Sequence, residues 1–138
     1  MKYNKAGFRA TRERLGLTQQ NIADMAEVTV LSVKKWEKLS GNNIPADVQD
    51  LMRSLEDNFD EGVEATLSAL AGIVENQGGN PETVEITYFR SQEDYNRAGR
   101  DDGPFGYVNA MSRAVASRLN DMGIPVRFIY PDEKAAEY

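Results

Sequence analysis

The side chains best suited to chemistry stand close together near the start of the chain. Thr29, Ser32, Lys34, Lys35 and Lys38 fall within one short stretch. The helical pattern leaves Ser32, Lys34, Lys35 and Lys38 to solvent or to a partner. A second group is the carboxylate cluster Asp57, Asp60, Glu61 and Glu64. It reads as the solvated face of a helix end, in preference to a metal site. A third group, Tyr95, Arg97, Arg100, Asp101 and Asp102, can line an anion pocket, but a charged surface loop is the preferred reading. The chain contains no Cys and no His. That removes thiolate and imidazole metal sites, the cysteine nucleophile and the Ser-His-Asp triad. Any catalysis would rest on carboxylates, Lys, Tyr or a hydroxyl, so no enzymatic activity, metal or cofactor is expected.

The 138 residues suffice for one ordinary domain or two very small ones. With 41% hydrophobic and 28% charged residues, the composition is that of a soluble globular protein. The net charge of −6 is unevenly spread. Residues 1–39 hold eight basic side chains (Lys2, Lys5, Arg9, Arg12, Arg14, Lys34, Lys35, Lys38) and four acidic ones (Glu13, Asp24, Glu27, Glu37), a net +4. The other 99 residues hold 8 basic and 18 acidic, a net −10. A basic module on an acidic body is one reading of this asymmetry, and an ordinary solvated surface is the other. The apolar run Ala69-Leu70-Ala71-Gly72-Ile73-Val74 is far below the ~20 residues of a spanning helix. The first residues carry charge with no apolar stretch behind them, so no signal peptide is expected and the cytosol is the expected compartment.

The elements that must position these residues are legible from periodicity. Phe8, Thr11, Arg12 and Leu15 recur at helical spacing, and Gly16 can end that helix. Thr18 stands as an N-cap before a second helix whose apolar side is Ile22, Ala23, Met25 and Ala26. Thr29 is the N-cap candidate for a third helix, Val30 to about Leu39, turning Val33 and Trp36 inward. Ser40 to Pro45 is a turn-rich break. A long helix follows over about 46–76, continuous or else kinked or broken near Asp60-Glu61-Gly62. Gln77-Gly78-Gly79-Asn80-Pro81 breaks it. Thr83 to Phe89 alternates as a strand, and Ser91 caps a short helix through Tyr95. Asn96 to Gly106 reads as a loop. Tyr107 to Met122 reads as a helix with Val108, Met111, Val115, Ala116, Leu119 and Met122 on one side, and Ile124 to Tyr130 reads as a second strand. Two strands make too small a sheet to stand alone. They should pair with each other, or with the same strands of a second subunit.

The stretch Leu17 to Lys38 resembles the helix-turn-helix of phage-repressor and Cro-like transcription regulators. Leu17-Thr18-Gln19-Gln20, Ile22-Ala23, Val28-Thr29 and Val33-x-x-Trp36-Glu37 stand at the family's spacing. With the flanking helices the resemblance covers roughly residues 4–56. It implies a second helix lying across phosphates and a third entering the major groove. Gln19 would then donate to a phosphate. Thr29, Val30, Leu31, Ser32 and Lys34 would face bases, with Lys35 nearer the backbone and Lys38 adding to the phosphate contacts. Val28 would fill the bend, and Arg12 and Glu37 would form a structural ion pair. Two departures stand out: Glu27 occupies the turn position usually held by Gly, and Leu31 replaces a basic or long polar residue. The loop from Lys38 to Pro45 is also longer than usual, and its Asn42 and Asn43 read as turn residues ahead of phosphate contacts. More weakly, the order of elements with Val84 to Phe89, Glu93-Asp94-Tyr95 and Gly106-Tyr107 is similar to anti-CRISPR-associated autorepressors of phages. That resemblance implies a C-terminal dimerisation domain and repression of the protein's own operon.

The expected fold is mostly α, with an N-terminal lambda-repressor-like helix-turn-helix over residues 1–58 and a small α+β C-terminal domain over 59–138. The expected function is sequence-specific binding of double-stranded DNA, as a homodimeric (auto)repressor on an inverted repeat. The rival is an antitoxin-type protein that binds a partner toxin and autoregulates its operon. The basic surface is also compatible with structured RNA.

Overall fold

A computed structural model describes residues 3–76, 78 and 83–133. The chain is mostly helical, with one small sheet. In order the elements are α1 (Lys5–Arg14), α2 (Gln19–Ala26), α3 (Val30–Trp36), α4 (Ala46–Asn76), β1 (Val84–Thr87), α5 (Gln92–Ala98), α6 (Phe105–Asp121) and β2 (Val126–Ile129). Two compact units are present, Met1–Asp60 and Glu61–Tyr138, and the division falls within α4. No helix among the described residues is long and apolar enough to cross a membrane.

In the first unit each short helix begins on a side chain that satisfies otherwise orphaned amides. Asn4 accepts from the Gly7 amide at 2.7 Å. Thr18 accepts from the Asn21 amide, and the Asn21 side chain accepts from the Thr18 amide in return, a capping box. Thr29 accepts from the Ser32 amide. Phe8, Leu15, Ile22, Ala23, Val33 and Met52 are fully enclosed. Phe8 meets Trp36 edge to face, with ring centroids 6.2 Å apart. Two apolar residues expected inside are not. Val28, just past the left-handed Glu27, and Met25, within α2, are both exposed. The third helix also ends earlier than its pattern suggests, at Trp36. There the chain folds back, and a Cβ on Gly41 would lie 1.8 Å from the Lys35 carbonyl oxygen. Only glycine permits that approach.

The helix α4 spans the range that the periodicity predicts and runs without a break through Asp60-Glu61-Gly62. Gly62 serves packing here: a Cβ at this position would meet Met111 Sδ at 3.0 Å. The expected breaker Gln77 to Pro81 lies outside the described residues except for Gly78.

In the second unit β1 and β2 pair with each other and run parallel, Val84 beside Val126 and Thr87 beside Ile129. Parallel neighbours need a long crossover, and α5 and α6 supply it. Both helices depart from expectation at the loop between them. The helix α5 runs on to Ala98, with Arg97 paired to Glu93 and Asp94 on its surface, and Gly99 (φ 68°) ends it. Pro104 then precedes a helix that starts at Phe105, two residues early. Tyr107, Ala110, Val115, Ala116 and Leu119 turn inward, whereas Met122 sits beyond the helix end and is exposed. Phe89 packs edge to face on Tyr95 at 4.9 Å.

Two polar devices hold this unit. The buried Asn109 side chain accepts from the Phe89 amide at 3.0 Å and donates to the Phe89 carbonyl at 2.8 Å, standing in for a missing strand. The Tyr95 hydroxyl donates to Asp101 at 2.7 Å, and the Gly103 amide donates to the same carboxylate at 2.8 Å. Burial, and then the Asp101 hydrogen bond, push Tyr95 up to about 12. The Tyr95 hydrogen bond, followed by that from Gly103, holds Asp101 below its ordinary value.

Substituting Asn109 by Leu strands both Phe89 backbone groups, and it should cost about 2–3 kcal/mol in denaturant-unfolding measurements. In the second unit Tyr95 and Asp101 contribute to the pH dependence. The raised Tyr95 value gives stability that is complete below pH 10.0 and lost as pH rises through about 12. The lowered Asp101 value gives stability present above 3.8 and lost as pH falls below it. Melting temperature followed across pH should therefore fall at both ends, and Tyr95→Phe should lessen both limbs, leaving the alkaline share of Tyr3, raised by burial and its bond to Glu56, and the acid share that the Gly103 amide gives Asp101.

Candidate nucleic-acid interface

The helix α3 has two faces of opposite character. Val33 and Trp36 are buried against the first unit's core. Leu31 projects outward at 56% exposure, and Thr29, Lys34, Lys35 and Lys38 are exposed around it. Val30 and Ser32 are half-buried at its first turn. Lys34, Lys35 and Lys38 make no side-chain hydrogen bond or ion pair among the described residues, so their ammonium groups are available to an anionic partner.

The same does not hold for the arginines of this unit. Arg9 pairs with Glu13, and Arg14 with Glu56 and Asp60. Arg12 lies beside Glu37 with Nε 2.6 Å and Nη2 2.9 Å from its carboxylate oxygens, and only 10% and 4% of the two side chains is exposed. The Arg12 Nη1 group also donates to the Leu17 carbonyl at 3.0 Å. One bidentate pair thus ties α1, the residue before the α2 cap and the C-terminal cap of α3. Removing one partner of such a buried pair costs about 3–5 kcal/mol, because the other charge is left uncompensated.

Gln19 joins this network. Its Nε2 donates to Glu37 Oε1 at 3.2 Å, so the amide expected to meet a phosphate is first of all anchored to α3. An amide nitrogen carries two protons, which leaves a second donor. The hydroxyls of Thr29 and Ser32 lie 3.2 Å apart and bond each other. Reading a base with either one therefore means exchanging that bond. Leu31 and Lys34 carry no such prior engagement.

Lys5 has a role that no local pattern signals. Its ammonium donates to the carbonyls of Lys35, Trp36 and Asn42. A cation at the C-terminal carbonyls of a helix is favourably placed. Lys5 thereby fixes the far end of α3 and the 39–44 loop, and Asn42 takes part through its backbone. A helix-terminal lysine thirty residues away in sequence carries no local signal for such a contact.

The turn between α2 and α3 contains Glu27 at φ 57°, ψ 45°, the one non-glycine residue in the left-handed region among those described. Its amide and that of Val28 close the helix end on the Asp24 and Ala23 carbonyls. A tight turn is made in spite of the side chain, at a cost of about 1–2 kcal/mol in backbone strain.

The other two groups behave differently. Asp60 is engaged by Arg14, and Glu64 by Arg118 at 2.7 Å. No three acidic side chains converge as a metal ion would require among the described residues. Tyr95, Asp101 and Arg97 are committed to bonds within their own segment.

No protein-family model matches the chain, and the curated proteins contain no match to it.

Replacing Glu27 by Gly relieves the left-handed strain at a smaller entropic loss. Thermal unfolding should show a gain of about 0.5–1 kcal/mol, with the same circular dichroism spectrum.

Proposed function

We propose that the first unit is a helix-turn-helix that binds double-stranded DNA sequence-specifically, with α3 as the recognition helix. The observation that carries this reading is the outward face of α3 and the residues just after it: unpaired Lys34, Lys35 and Lys38 around the exposed Leu31, on a helix pinned at both ends. Lys34, Lys35 and Lys38 supply the salt-dependent attraction to phosphates. Leu31 and Val30 offer methyl groups to thymine, and Lys34 reaches guanine acceptors. Gln19, held by Glu37, directs its remaining N–H to a phosphate, which sets the docking register. Thr29 and Ser32 complete the row at the N-terminal end of α3. The resemblance of Leu17–Lys38 to phage-repressor and Cro-like regulators agrees with this assignment of roles.

Seven residues of recognition helix read too few base pairs for a unique site. The protein therefore acts as a homodimer, placing two α3 helices about 34 Å apart on an inverted repeat. Occupying such a site over its own promoter makes it a repressor of its own operon, working in the cytoplasm.

Fluorescence-anisotropy titration against the DNA immediately upstream of its gene tests this at two salt concentrations. Lys34→Ala and Leu31→Ala should each weaken specific binding by about 1–3 kcal/mol. The lysine variant should also lower the slope of log affinity against log salt by about one. Unchanged affinity in the double variant would overturn the assignment of α3.

A further inference from the structure

The sheet of the second unit has an unfinished edge. In the parallel ladder the amides of Val84 and Tyr88 donate to the carbonyls of Pro125 and Ile129. Residues 84, 86 and 88 therefore turn their backbone groups toward β2, and Glu85 and Thr87 turn theirs away. Among the described residues the outward groups of Glu85 and Thr87 have no backbone partner. The next outward residue, Phe89, is closed off by Asn109 at both N–H and C=O. The open stretch of β1 faces a groove of about 390 Å³, walled by Thr66 and Leu70 of α4 and by Val108, Met111 and Val115 of α6. Arg100 also lines it, and makes no hydrogen bond or ion pair among the described residues.

We infer that this edge is the seat of a second copy of the chain, joined by antiparallel pairing of β1 with the partner's β1 about a two-fold axis at Ile86. This deepens the homodimer of the proposed function by naming its interface. Three registers centred on an outward or central residue are available, and two are excluded. Centring on Thr87 would set Glu85 against the partner's Phe89, whose backbone Asn109 already occupies. Centring on Glu85 would place two carboxylates directly opposite, which is unfavourable. Centring on Ile86 sets Glu85 opposite the partner's Thr87, and Thr87 opposite the partner's Glu85. All four outward N–H groups and their carbonyls are then satisfied in two reciprocal pairs. Each Glu85 carboxylate, which already accepts from Arg127 Nη2 at 3.2 Å, then also meets a hydroxyl. The two Ile86 side chains become neighbours, and the two-stranded sheet becomes four-stranded, which a stable sheet of this size calls for.

The absence of cysteine makes the test direct. At the two-fold position of an antiparallel pair the Cα atoms lie about 4.5 Å apart, within reach of a disulfide. Full-length Ile86→Cys, oxidised at micromolar concentration, should run as a covalent dimer. Glu85→Cys alone should not link, whereas an equimolar mixture of Glu85→Cys and Thr87→Cys should. Thr87→Pro removes an outward amide that the β1–β2 ladder does not use. In sedimentation equilibrium it should weaken dimerisation about tenfold to a hundredfold, with circular dichroism verifying its fold. A wild-type monomer at these concentrations overturns the inference, as does a dimer that Ile86→Cys fails to link. A dimer built on another face that still protects its promoter sinks this edge and leaves the DNA-binding reading intact. A linked dimer with no DNA affinity does the reverse.

Discussion

The bidentate pair between Arg12 and Glu37 is the constraint on which the first unit depends. Both charges are nearly removed from water. In that setting neither can be satisfied by anything but the other and a few aligned neighbours. Leu17, at the approach to α2, and Gln19, in its first turn, are those neighbours. The direction of α3 relative to α1 and α2 is therefore set by hydrogen-bond geometry as well as by packing around Val33 and Trp36. Lys5 does the same for the far end of α3 through three carbonyls. A helix of seven residues is too short to hold itself in water. It is held here by its cap, its apolar face and these two cations.

The consequence for electrostatics is a division of labour among the basic residues. The arginines of the first unit, and Lys5, are consumed by internal contacts. The three lysines of the third helix and the residues just after it are left to solvent. The asymmetry of charge along the chain thus narrows to one helix face, which is a sharper statement than a net +4 over 39 residues. The second unit uses polar groups in another way. Asn109 stops the β1 edge at Phe89, and the residues before it keep theirs open. A buried amide that ends an edge at one residue also decides which registers a further strand can take.

Much of this was legible in the sequence because caps and periodicity are local. Thr18, Thr29 and Ser91 were readable as N-caps, since each is a hydroxyl residue just ahead of a helical pattern. The inward residues Phe8, Leu15, Ile22, Val33 and Trp36 follow from spacing alone. What was not legible depended on contacts distant in sequence. Gly62 looks like a breaker until Met111 is seen against it. Gly41 looks like a loop residue until the Lys35 carbonyl is found beside it. Glu27 takes a left-handed conformation that sequence pattern assigns to glycine. Of the site residues, Leu31, Lys34, Lys35 and Lys38 lie exposed together as their spacing implies. Gln19 is bonded to Glu37, and Thr29 and Ser32 to each other, contacts that only the folded chain reveals.

The central claim is that the outward face of α3 reads DNA, two copies at a time. Hydroxyl-radical footprinting of the intact protein on the DNA immediately upstream of its gene tests it most directly. The account predicts two protected half-sites of inverted sequence, centred one helical turn apart, with protection lost in the Leu31→Ala, Lys34→Ala double variant. A footprint of a single half-site, or protection that the double variant leaves unchanged, would contradict it.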